Sequence, residues 1–130
     1  MIVDTSAVIA VLRNEVDAVE FARAMQSQAS CRMSAVSYVE AGVVTDSNRN
    51  PVLSRRLDTL LQDLRVELVT VTLQQAEIAR QAYRDFGKGR HKAGLNLGDC
   101  FAYALAKETN EPLLFKGDDF RHTDVEVADV

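Results

Sequence analysis

The sequence predicts an α/β fold, a three-layer α/β/α sandwich with a parallel central sheet, formed by one domain over residues 1–130. Two observations carry this. Short strand-like runs alternate with longer stretches of helical periodicity, the pattern of parallel strands joined by crossover helices. The first run, Met1-Ile2-Val3, passes straight into Asp4-Thr5-Ser6. An apolar run of this kind suits a strand buried on both faces, and the residues after it suit a helix N-cap. Asp4 is thereby placed at the carboxyl end of a central strand, the edge at which open α/β sheets bind ligands.

The other elements follow in order. A short apolar helix is expected from Ser6 to Leu12, and a second from Val16 to Gln28 with Ala18, Phe21, Ala22 and Met25 facing inward. Cys31 to Ser34 is a strand candidate. Ser37-Tyr38-Val39-Glu40 has the Ser-x-x-Glu form of a capping box and opens a helix to about Asp46. Asn50-Pro51 reads as a cap followed by proline at the first helical position, and Leu53, Leu57, Leu60, Leu61 and Leu64 then mark one face of an amphipathic helix. Val66 to Val71 is rich in β-branched residues and reads as a strand. Thr72 to Gln75 caps a helix that runs to Phe86 with Ala76, Ala79, Tyr83 and Phe86 inward, and Gly87 is expected to end it as a left-handed cap. After a basic loop, Lys88 to Gly94, Asn96-Leu97-Gly98-Asp99 caps a helix to about Glu108 that is apolar nearly all round and hence buried. Leu113 to Phe115 reads as a strand, and Val125 to Val127 as an edge strand.

Composition narrows the function classes. Fifteen Lys and Arg against 19 Asp and Glu leave a net charge of −4, so a nucleic-acid contact needs a local basic patch. Cys31 and Cys100 show no paired spacing, and no signal peptide is visible, which points to a reducing cytoplasm and free thiols. No apolar run approaches the ~20 residues of a membrane span, so no membrane partner is expected. With only two cysteines and two histidines, His91 and His122, any bound metal must take mostly oxygen ligands.

The oxygen ligands at hand are Asp4, Glu40, Asp99 and the pair Asp118-Asp119. Taken singly, each reads as a helix cap or a polar loop. Taken together in a parallel sheet, acids at strand ends and helix starts converge in one cleft. Crowded carboxylates repel and raise one another's pKa values unless a cation neutralises them. Carboxylates with water are the ligand set of Mg²⁺ or Mn²⁺, and such sites hold phosphate oxygens and activate water for phosphodiester cleavage.

Ile2-Val3-Asp4-Thr5-Ser6, Ser37 to Glu40, Leu95-Asn96-Leu97-Gly98-Asp99-Cys100 and Lys116-Gly117-Asp118-Asp119-Phe120, in that order, resemble the PIN-domain ribonucleases, and among them the VapC-type toxins of bacterial toxin–antitoxin pairs. The resemblance spans nearly the whole chain. It implies a Mg²⁺- or Mn²⁺-dependent endoribonuclease, a homodimer, inhibited by a cognate antitoxin and acting on structured RNA such as tRNA. It also implies that Asp4, Glu40 and Asp99 are the core acids, with Ser6 the hydroxyl that orients Asp4. The chain departs from the pattern near its end. Many such domains carry an acid or asparagine two residues before the Asp-Phe pair, where this chain has Gly117. Asp119 matches the acid beside the phenylalanine and is the favoured fourth member; Asp118 is an extra carboxylate able to act through water.

Arg80, Arg84, Lys88, Arg90, His91 and Lys92 fall within thirteen residues that hold one acid, Asp85. The loop leads into the helix bearing Asp99, so Lys88, Arg90 and Lys92, with Lys116, are the expected RNA-binding cations. The alternative for this stretch is a solvated helix face. For the whole chain the alternatives are a receiver-like Mg²⁺-binding signalling domain, favoured by Lys116 but lacking an acceptor aspartate after Val71, and a catalytically inactive interaction module, disfavoured because every core acid is present.

Overall fold

The computed structural model describes residues 1–47 and 49–130. Four parallel strands, β1 (Ile2–Val3), β2 (Cys31–Ser34), β3 (Val66–Val69) and β4 (Leu113–Leu114), lie in the order β3-β2-β1-β4. The chain steps outward from β1 through β2 to β3 and then returns to the far side of β1 for β4. The order therefore reverses between β1 and β4, where open α/β sheets form their crevice. A single parallel bridge, Leu113 to Val127, is what the expected edge strand at Val125–Val127 amounts to.

Side-chain alternation builds the three layers. Val3, Met33 and Leu114 point to one face, under α1 (Thr5–Leu12), α2 (Ala18–Ser27), α3 (Ala35–Asp46) and α4 (Pro51–Asp63). Ile2 and Leu113 point to the other, under α5 (Leu73–Phe86) and α6 (Leu97–Thr109). α6 buries Gly98, Cys100 and every residue from Ala102 to Ala106, as its apolar circumference requires. Cys31 and Cys100 are both buried and unpaired.

Several local expectations are corrected. α2 starts at Ala18, leaving Val16 99% exposed, and Ala24 takes the inward place expected of Ala22, which is only partly buried. α3 starts three residues before the Ser37 box. β2 runs directly into it, and the Ser34 side chain accepts from the Val36 N–H as the cap. β3 stops at Val69 and lies at the sheet edge. α5 turns Gln75, Ala79 and Ala82 inward, so Tyr83 points outward and is 42% exposed. Gly87 is extended, with φ −67°. Its need for glycine is steric, since a Cβ there would come within 2.2 Å of the Tyr83 carbonyl oxygen.

Among the described residues, no helix is long and apolar enough to cross a membrane.

Candidate active site at the ends of β1 and β4

Asp4 leaves β1 in extended conformation and caps α1. Its Oδ2 accepts from the Ser6 N–H at 3.0 Å and from the Ser6 hydroxyl at 2.6 Å. The Ser6 oxygen in turn accepts from the Lys116 N–H, just past β4, at 3.0 Å. Ser6 thus joins the two strand ends across the crevice and fixes one oxygen of Asp4. The other oxygen, Oδ1, is buried and has no hydrogen-bond partner, in a residue only 3% exposed. An orphaned carboxylate oxygen is costly to bury unless a ligand meets it.

Glu40 arrives from the second turn of α3, too far along to cap it, so its carboxylate is free for other work. The Thr5 hydroxyl lies 2.9 Å from the Ser37 carbonyl oxygen and 3.2 Å from Glu40 Oε1, sharing its one proton between them. Gly98 is the seat of Glu40: a Cβ on Gly98 would stand 1.9 Å from Glu40 Cδ. The first turn of α6 therefore brings Asp99 beside Glu40. The expected Asn96–Asp99 capping box is complete, with Asn96 Oδ1 accepting from the Asp99 N–H at 2.8 Å and Asp99 Oδ2 accepting from the Asn96 N–H at 3.0 Å. Asp99 both caps its helix and lines a cleft of about 340 Å³ with Asp4, Ser6, Arg13, Glu15, Glu40 and Lys116.

The charges feel one another. Burial pushes the Asp4 carboxyl above its ordinary range against the pull of the Ser6 and Thr5 hydrogen bonds, and the charge of Asp119 adds to the rise. Burial likewise lifts Glu40, helped by the charge of Asp4. Asp99 is pushed up to about 7, chiefly by burial and then by the charges of Asp4, Glu40 and Asp119. Asp119 opens the 3-10 turn Asp119–His122 and is felt by Asp4 and Asp99. Asp118 instead faces solvent and sits 2.8 Å from His122 Nε2. The four acids share one electrostatic neighbourhood without closing into a cage: among the described residues, no group of three or more such side chains stands ready to enclose an ion. The donors fit a hard divalent cation, because the cleft offers carboxylate and hydroxyl oxygens, one of them buried and unsatisfied.

The cations are divided. Lys88, Arg90 and Lys92 are exposed on the loop after α5, outside the cleft lining. Lys116 does reach the cleft, but its ammonium is bound to Glu15 and, at 3.1 Å, to Asp17. Those two acids went unnoticed in the sequence, and Thr5 and Gly98 stood there as members of motifs with no role toward Glu40. Gly98 left a signal: a glycine inside a helical first turn has no backbone need to meet, so it marks close approach by another group.

The PIN domain family model matches residues 1–126. The chain is 54% identical over 129 residues to VapC ribonuclease Mb0625 of Mycobacterium bovis and to ribonuclease VapC28 of Mycobacterium tuberculosis, covering 98% of this chain and 97% of each relative. It is 47% identical to ribonuclease VapC42 of M. tuberculosis, with 98% of both chains covered. Two solved structures share the fold at TM-score 0.73 and 16% identity. One is a toxin–antitoxin complex from Klebsiella pneumoniae, covering 95% of this chain and 92% of that one. The other is M. tuberculosis VapC20, a sarcin-ricin loop cleaving toxin, covering 95% of both. With the acids gathered where the sheet order reverses, and with matches running over nearly its whole length, the chain belongs to the PIN-domain family, among the VapC ribonucleases.

Proposed function

We propose that this chain is an endoribonuclease toxin that uses Mg²⁺ or Mn²⁺ to cut structured RNA, with tRNA the class its family resemblance implies. The observation that carries the reading is the buried, unpartnered Oδ1 of Asp4, a residue that lines the cleft together with Glu15, Glu40 and Asp99. Relatives at 47–54% identity named as ribonucleases support it.

Asp4 and Asp99 are the principal ligands, with Glu40 and Asp119 completing the cluster directly or through water. Asp119 rather than Asp118 is the fourth member, since it acts on both Asp4 and Asp99 while Asp118 is paired with His122. A bound divalent ion supplies Lewis acidity, lowering the pKa of a water and offsetting charge on a phosphate oxygen. The protein residues prepare the place. Ser6 holds Oδ2 of Asp4 and leaves Oδ1 without a protein partner. Thr5 and Gly98 hold Glu40, and Asn96 holds Asp99. Water, rather than the ribose 2′-hydroxyl, is the nucleophile, so the products carry a 5′-phosphate and a 3′-hydroxyl.

The proposed RNA-binding cations are Lys88, Arg90 and Lys92, exposed on the loop after α5, with Lys116 at the cleft. A receiver-like reading is not favoured, because β3 ends at an edge and Thr70 to Thr72 hold no acceptor aspartate. The partner is a cognate antitoxin; the similar fold from K. pneumoniae is in a toxin–antitoxin complex. A homodimer is proposed on α3, where Val39 and Val43 are 61% and 63% exposed beside partly buried Val36. Leu53, Leu57 and Leu60, on the apolar face of α4, pack into the core and are not available to that contact.

Asp99→Asn tests the assignment. Asn keeps a cap oxygen and removes the charge. If Asp99 is only a cap, the cost is ~1 kcal/mol or less of stability with cutting intact. If it is a ligand, the protein folds normally and cutting is lost. Wild-type cleavage that persists in excess EDTA would count equally against the proposal.

A further inference from the structure

Beside the acid cleft, α5 and the start of α6 enclose a separate groove of about 450 Å³ whose lining includes Arg80, Tyr83, Arg84, Arg90, Leu97 and Phe101. No acid lines it. Among the described residues none of its three arginines has an ion-pair partner. Tyr83 is 42% exposed, and the Arg90 guanidinium stands 5.7 Å from its ring centroid. Arg80 and Arg84, four apart, lie on one face of α5. The groove thus has an apolar aromatic floor under a concentration of uncompensated positive charge, inside a protein of net charge −4.

Leu97 connects this groove to the site. It is 73% exposed and also lines the apolar surface that includes Thr5 and Glu40. The first turn of α6 therefore presents Asp99 to the acids and Leu97 to the groove. A chain crossing the acid cleft and passing over Leu97 enters the groove next.

We infer that this groove is a base-binding subsite for one unpaired nucleotide of the RNA, flanking the nucleotides at the acid cleft. The inference rests on the ribonuclease reading above and extends it. The base stacks on the exposed Tyr83–Arg90 pair and against Phe101, and the flanking phosphates pair with Arg80 and Arg84. Stacking on aromatic rings and guanidinium planes is the usual way that proteins hold splayed-out bases, and it needs a strand free of pairing. The volume suits a single small ligand. Cations with no ion-pair partner among the described residues and no acid in the groove lining favour a polyanion over a mixed-charge protein surface.

Photocrosslinking tests it. A single-stranded RNA oligonucleotide carrying 4-thiouridine is irradiated with the full-length protein in EDTA, so that binding proceeds without cutting, and the linked peptide is mapped by mass spectrometry. The expected result is a crosslink on the peptide containing Tyr83 or Phe101, absent with the same sequence in a duplex. Tyr83→Ala and, separately, Arg84→Ala should each lower RNA affinity severalfold while leaving Mn²⁺-induced thermal stabilisation unchanged; both side chains are exposed, so the fold should survive. Crosslinks confined to the acid cleft, or equal for duplex RNA, overturn the subsite. So does light scattering in which Tyr83→Arg splits a dimer, since the groove is then a contact between copies. Metal-dependent RNA cutting without a groove crosslink removes the subsite and leaves the ribonuclease reading standing, whereas loss of both cutting and binding removes both.

Discussion

Glu40 rests on Gly98: the carboxylate occupies the space that any side chain at position 98 would fill, with 1.9 Å from an added Cβ to Glu40 Cδ. The obstructed atoms are the far end of a flexible side chain, so Gly98→Ala should fold by pushing Glu40 aside. We expect a melting temperature close to wild type and RNA cleavage reduced by about 10²-fold, the cost of a misplacement near 1 Å. A Gly98→Ala protein that cuts normally would show that Glu40 has no fixed place in the reaction.

Ser6 should matter to both stability and rate. Its hydroxyl donates to Asp4 and accepts from the Lys116 N–H. Ser6→Ala leaves that N–H without its partner and removes one of the two hydrogen bonds that hold Asp4 Oδ2, keeping only the one from the backbone N–H. Chemical denaturation should show a loss of ~1–3 kcal/mol, and kcat should fall more than KM rises.

The acids predict an unusual pH profile. Asp99 has a folded value of about 7 against an ordinary 3.8, and Asp4 and Glu40 are raised as well. Over that interval the native protein holds protons that the unfolded chain has released. Stability without divalent ions should therefore fall as pH rises from about 4 through about 7. On the proposed metal reading Mn²⁺ binds the ionised groups, so its stabilising effect should grow over the same interval. Melting curves in EDTA and in Mn²⁺ across this range check both signs, and an ion-free protein equally stable at both ends would contradict the crowding of charge.

For the loop, Arg90→Ala combined with Lys92→Ala should weaken RNA binding and flatten its salt dependence by roughly 0.7–0.9 in log–log slope per lost phosphate contact. An unchanged slope returns these side chains to a merely solvated role.

The proposed α3 contact predicts that Val39→Asp yields a monomer by light scattering, because an isolated charge at an apolar interface is costly to desolvate. A wild-type protein that is already monomeric at micromolar concentration removes the contact.

Most of the site was legible because its acids sit at signals readable over a few residues. Asp4 follows an apolar strand, and Asn96 to Asp99 form the capping box that the sequence spells out. Glu40 lines the cleft, but not through the capping box that the sequence suggested. Ser37-x-x-Glu40 has the form of a cap, yet the end of β2 supplies Ser34 first, and local pattern cannot tell which serine the strand will reach. The inward face of α5 was misjudged for a related cause. Gln75, Ala79 and Ala82 are small or polar, and only packing against α6 shows that close helix contact prefers them to Tyr83. The ties of Lys116 to Glu15 and Asp17 span about a hundred positions and leave no trace in nearby sequence.

The Ser6 bridge has a wider consequence. Because it welds the ends of two adjacent strands, Asp4 inherits its position from the sheet ladder and not from any loop. Apart from Lys116 at the cleft, the positively charged groups proposed to meet RNA lie elsewhere, on α5 and the turn after it, next to the start of α6. Reaction and target choice are thus mechanically decoupled. Substitutions in the arginine-bearing segment can redirect the enzyme to another RNA while the cutting apparatus stays in register.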